Sequence, residues 1–133
     1  MAWIDTDYAV GEILKELRNS GGTFPTTWYA GLFTTAPNAA GTGGVEVSVG
    51  WYSRISFTWA AHSGRTMANS SAVSFATSAA SAIPSPVVAL GCFDALTSGN
   101  LWHILTLTTP LTVGIGSQVN FPIGQIIQEF PNT

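Results

Sequence analysis

A cysteine, a histidine and an aspartate brought together make a nucleophile, its base and the group that orients the base. The segment GCFDALTSGNLWHILTL, residues 91–107, holds one of each in Cys92, Asp94 and His103. Cys92 is the only cysteine of the chain, and His103 is one of two histidines. Such chemistry needs an accessible thiol that ionises readily. The pattern around Cys92 predicts the reverse: VVALGCF (87–93) is a continuous apolar run, as expected of a strand buried on both faces. A free cysteine there is a small hydrophobe with its thiolate disfavoured. Asp94 opens the turn DALTSGN, where its carboxylate can accept from nearby backbone N–H groups. His103 falls within the following strand, where one partner across the sheet would satisfy it. The spacing fits no cysteine–histidine signature, so the segment reads as two strands and a turn.

Other chemistry is no better supplied. Carboxylates for paired acid–base work would have to be Glu46, Asp94 and Glu129, far apart in sequence, and they read as turn caps and solvated faces. His62 and His103 have no cysteine or carboxylate at metal-ligand spacing. GTGGVE (41–46) has the glycines of a phosphate cradle but neither the lysine nor the following helix, and no G-x-S-x-G or P-loop occurs. No catalytic residue, metal or cofactor is expected.

The elements that would position these residues follow from composition and period. At 133 residues and 13.9 kDa the chain suits one domain that buries roughly two thirds of its unfolded surface. One cysteine excludes an internal disulfide. MAWIDTDYAV lacks the basic and apolar regions of a signal peptide, and the apolar runs fall short of the roughly 20 residues a membrane span needs. A soluble protein is expected. With four basic residues and a net charge of −3, neither nucleic acid nor a membrane surface is an expected partner.

Charge is scarce and unevenly placed. Charged residues make up 8 % of the chain, against about 25 % in an ordinary soluble domain. Asp5, Asp7, Glu12, Lys15, Glu16 and Arg18 lie in the first eighteen residues, leaving Glu46, Arg54, Arg65, Asp94 and Glu129 for the rest. A free monomer with mean hydropathy +0.31 and five tryptophans would ordinarily carry more charge to stay dispersed. The composition therefore predicts a surface largely covered by neighbouring subunits.

Residues 1–22 read as an arm and one helix. Val10, Ile13, Leu14 and Leu17 recur at i, i+3, i+4 and i+7; Tyr8 and Ile4 extend the stripe. Asp5, Thr6 and Asp7 offer N-cap oxygens, Lys15 and Arg18 suit the other end, and NSGG stops the helix. From residue 23 to 133 the pattern is β: TTWYAGLF (26–33), GVEVSV (44–49), WYSRISFTW (51–59), SAVSFAT (71–77), VVALGCF (87–93), NLWHILTL (100–107), SQVNFPIG (117–124) and QIIQEF (125–130). Seven to eight short strands between Gly-rich turns predict a mainly β, antiparallel sandwich or jelly-roll-like fold with one N-terminal amphipathic helix. Trp28, Tyr29, Trp51, Tyr52, Trp59 and Trp102 could stack on glycans, but alternating aromatics in strands are first of all core. Trp3, ahead of the helix, has no obvious core within the chain and is the candidate anchor in a neighbour.

Taken in order, these motifs resemble a family of small tailed-bacteriophage virion proteins, variously described as capsid decoration or cement, tail or fibre proteins. The resemblance runs from about residue 8 to 127. It rests on the N-terminal helix, WYAGLFTTAP (28–37), VGWYSRISF (49–57), NSSAVSFATSA (69–79) and LGCFDALTSGNLWHILTLTTPLTVGIGSQVNFPIGQI (90–126). The chain departs from the family in VSVGW before Tyr52, in Ser117 and Gln118 where an acidic residue is common, and in AIPSPVV before Leu90. The resemblance implies a non-enzymatic virion component. Together with the low charge it favours a capsid cement or decoration protein on the outer shell. Its partners would be the major capsid protein and copies of itself, a homotrimer being favoured. Trp3, Ile4, Tyr8, Val10, Ile13, Leu14 and Leu17 would then form the docking interface. The alternative is a tail, baseplate or fibre component that binds host glycans; a lectin-like cellular sandwich is a further one.

Overall fold

The computed structural model describes residues 2–78 and 81–130, with side chains from residue 3; the remainder of the expected 1–133 domain span, and the end of the 69–79 motif, lie outside the described residues. The chain forms β1 (Ala2–Asp5), α1 (Asp7–Leu17), β2 (Trp28–Thr35), β3 (Val45–Glu46), β4 (Ile55–Phe57), β5 (Thr66–Ala68), β6 (Val73–Ser74), β7 (Val87–Phe93), β8 (Leu101–Leu111), β9 (Asn120–Phe121) and β10 (Ile127–Glu129). The main sheet runs β1-β8-β7-β2-β3, and β4 pairs the first half of β2 alongside β3 on its second half. Two ribbons, β5 with β10 and β6 with β9, make up the opposing layer, and every pairing is antiparallel. The fold is a mainly β sandwich with one helix near its N-terminus.

Register fixes which side chains share a face, because residues directly opposite in antiparallel strands point the same way. One row is Ala30, Cys92, His103 and Asp5; the next is Leu32, Leu90, Leu105 and Trp3. This face meets Val73, Phe75, Val119, Phe121 and Ile126 from the opposing layer to form the main core. The other face carries Gly31, Gly91, Ile104 and Ile4 in one row, with Phe33 and Phe93 on either side of the glycines. Those two rings stack at 5.9 Å over the space the glycines leave.

A buried asparagine ties the ribbons together. The Asn69 side chain donates to Ser71 O and Pro122 O and accepts from the backbone N–H of Gly124 and Ile126. All four hydrogen-bonding directions of the amide are thus used.

Several boundaries differ from the sequence reading for physical reasons. β7 falls where the apolar run places it. Residues 51–59 give only β4 and a bridge from Trp59 to Asn69, because Trp51 and Tyr52 turn aside to hydrogen-bond Ser81 O and Leu32 N. β1 and β5 are strands the pattern did not announce. β8 continues through Pro110 to Leu111, where it pairs with Val87 of β7 after a register shift.

Candidate interaction surface

The nucleophile, base and carboxylate of residues 91–107 are only partly brought together. Cys92 and His103 are register partners across β7 and β8. The aspartate at His103 is Asp5 of β1, whose Oδ1 lies 2.9 Å from Nδ1, and not Asp94. Cys92 is fully buried, and burial alone pushes its thiol up, away from the thiolate. His103 is 3 % exposed. Burial holds its pKa below the ordinary value although Asp5 pulls the other way. Burial would raise the Asp5 pKa, but hydrogen bonds from His103 and from Trp3 Nε1 at 2.8 Å more than offset it and leave it lowered. The resting pair is neutral imidazole on carboxylate, enclosed by the rings of Trp3 (4.6 Å) and Trp28 (5.4 Å). This is a structural latch on the first strand.

Asp94 does what its place in the turn predicts. It accepts from Asn100 N at 2.7 Å and Asn100 Nδ2 at 2.9 Å, and it also holds Trp102 Nε1 at 3.2 Å. The register shift between Cys92 and Phe93 sets Trp102 beside His103. Trp102 is therefore buried against Tyr8, Phe24 and Trp28. Trp28 and Trp102 are core, and Trp51 and Tyr52 are tied down by hydrogen bonds. The expected aromatic residues thus do not assemble into an exposed sugar platform.

The centre that sequence reasoning missed is built on Arg54. Its Nε and Nη2 donate to the two carboxylate oxygens of Glu46 at 2.9 and 2.8 Å, and Nη1 donates to Ala95 O and Ser98 O. The guanidinium lies 3.4 Å from the centroid of Phe93. Tyr52 Oη donates to Glu46 at 2.7 Å and accepts from Leu32 N, and burial first and the Glu46 bond second raise its pKa. Gly31 makes this possible: a Cβ there would meet Glu46 Oε1 at 2.9 Å, Phe93 at 3.0 Å and Tyr52 Oη at 3.1 Å. Two clefts of about 280 Å³ flank the pair, one under the loop of Gly41–Gly44 and one beside Leu96–Ser98. With its carboxylate committed to Arg54 and Tyr52, Glu46 is a fastener of loops and not a free base. The available signal was two lone opposite charges, eight residues apart, in a stretch otherwise without charge.

The helix turns its apolar stripe outward. Thr6 caps α1 through a bond from Ala9 N and anchors it by donating to Leu101 O. Gly22 packs against the Glu12 carbonyl, where any Cβ would collide. The buried helix residues are Ala9 and Glu12. The Glu12 carboxylate takes Lys15 Nζ at 2.6 Å and Thr23 N at 2.8 Å, which together lower its pKa. Val10, Leu14 and Leu17 are 41, 53 and 78 % exposed, Tyr8 and Ile4 are nearly as open as Val10, and Ile13 is half-buried. Two expectations are corrected. Ile4 lies on β1 and not on the helix stripe, and Trp3 does have a core of its own, packed between His103 and Trp59.

Among the described residues no cluster of three metal-ligating side chains occurs, and no helix is long and apolar enough to cross a membrane. No curated protein matches the chain. The model of the family described as podophage GP4 fiber I protein gp80 matches residues 6–129. The chain belongs to that family, and it is a phage virion structural protein.

Proposed function

We propose that this chain is a non-enzymatic assembly subunit of a tailed-phage virion, most directly a fibre component, that attaches to neighbouring virion subunits through α1. One observation carries the attachment: the helix buries Glu12 and exposes Val10, Leu14 and Leu17. Leaving large apolar side chains in water costs an isolated chain the free energy of burying them. A partner covering that face removes the cost. Ile13 packs along the base of that face, whereas Ile4 on β1 and Tyr8 against Trp102 lie off it. Trp3 contributes indirectly, by holding the arm through Asp5 and His103. The family description supports the fibre reading.

The second reading, a cement or decoration protein on the capsid and its major capsid protein, is favoured by the scarcity of charge beyond residue 18, which suits a subunit covered on several sides. Copy number separates the two. Quantitative mass spectrometry of purified virions against the major capsid protein should find this chain as a small fraction of it if it belongs to a fibre. A ratio comparable to the major capsid protein would place it on the shell.

A further inference from the structure

The exposed stripe of α1 is self-complementary. Read from either end, Val10, Ile13, Leu14 and Leu17 have the same spacing of three, one and three residues. That symmetry of spacing lets the stripe meet its own copy about a two-fold axis, the arrangement of an isologous contact. Placed antiparallel about a two-fold at the middle of the stripe, Val10 of one helix meets Leu17 of the other, while Leu14 meets Leu14 on one flank and Ile13 meets Ile13 on the other. Charge supplies the second argument. Asp7 and Arg18 are eleven residues apart, close to three turns at about 3.6 residues per turn, so both flank the stripe on its Leu14 side. Neither side chain has a partner among the described residues. In an antiparallel pair each Asp7 comes beside the Arg18 of the other copy, at both ends of the seam. A parallel pair would instead set Asp7 against Asp7 and Arg18 against Arg18.

We propose that two copies of this chain pair antiparallel through the Val10–Leu17 face of α1, with Asp7 and Arg18 closing the seam at each end. The inference rests on α1 being the attachment face and names a second copy as its occupant. A helix of eleven residues covers less than the roughly 800 Å² per partner of a standard interface. The isolated pair is therefore weak, and repeated copies in the virion reinforce it.

The test is oxidative cross-linking of the V10C/L17C chain, in which the native Cys92 is fully buried. Trypsin cuts after Lys15 and Arg18, which leaves the two introduced thiols on different peptides. The expected product links the peptide that carries position 10 of one copy to the peptide that carries position 17 of another. Its yield should fall several-fold on adding R18D and recover on adding D7R as well. That recovery is diagnostic, because the double swap opposes the helix dipole at both ends. Like-to-like links, no links, or no recovery in the double swap would overturn the antiparallel pair. If V10C/L17C fails to fold by circular dichroism, the charge swaps are read by sedimentation of the otherwise native chain, with the same pattern expected. Should the chain stay monomeric while stripe variants are lost from virions, the self-pairing falls and attachment through α1 stands.

Discussion

His103 Nδ1 and Asp5 Oδ1 meet at 2.9 Å across β8 and β1, ninety-eight residues apart in sequence. The contact adds a side-chain tie to the backbone pairing of the first strand with β8. His103 is buried and neutral, with its pKa lowered in the fold, and the Asp5 pKa is lowered too. Both shifts have the same sign for stability. The unfolded chain binds more protons, so stability is full above the unfolded histidine pKa of roughly 6.5. It falls as pH drops through that value toward the lower pKa of the folded state, and falls again in the acid range of Asp5. The melting temperature should decline between neutral pH and mildly acidic pH, and H103N should flatten that first decline. A wild-type melting temperature unchanged over this range would contradict the latch.

Arg54 carries the loops around the clefts. Removing it leaves the Glu46 carboxylate partly buried with Tyr52 alone. R54M should cost roughly 2–4 kcal/mol in chemical denaturation, somewhat below the loss for a fully buried pair because Glu46 retains some water. R54K should recover little, since an ammonium can neither fork onto the carboxylate nor lie flat on Phe93. The R54M/E46Q double variant should lose less than the sum of its singles.

Gly91 faces Gly31 beneath the two phenylalanine rings. A Cβ on Gly91 would meet Phe33 at 2.6 Å and Leu101 at 2.9 Å, and ring packing on this face leaves little slack. G91A should destabilise the fold by roughly 1–3 kcal/mol. Pairing G91A with F33L should return part of the loss, which urea denaturation of the double variant can read.

Cys92 should resist a soluble thiol reagent in the folded chain and react fully once denatured. C92A should enter virions at the native level, as expected of a core residue and not of a nucleophile. Rapid labelling of the folded protein would contradict its burial.

The legible parts of the fold were those set by local pattern. The apolar run of Val87–Phe93 became β7, and the Asp94 turn has the bonds its residues suggest. The periodicity of α1 gave a helix. What local pattern does not contain is the partner. β1 exists because Ile4 pairs with Ile104, and no window of sequence joins them. The stripe of α1 was read correctly as an amphipathic pattern, but that signal alone leaves open whether such a face looks inward. Here Gly22 and the Glu12–Thr23 bond claim the other side of the helix, leaving the stripe free. The Arg54 centre was hidden for a related reason, since Glu46, Phe93, Ala95 and Ser98 reach it from segments that are distant in sequence.

The most direct measurement is virion incorporation of an L14S/L17S chain, supplied in trans beside a distinguishable native copy. These side chains are largely exposed, so the variant should keep the native melting temperature. If α1 is the attachment face, the folded variant should be largely absent from purified particles while the native copy is present. Incorporation of both chains in the ratio supplied would contradict the account.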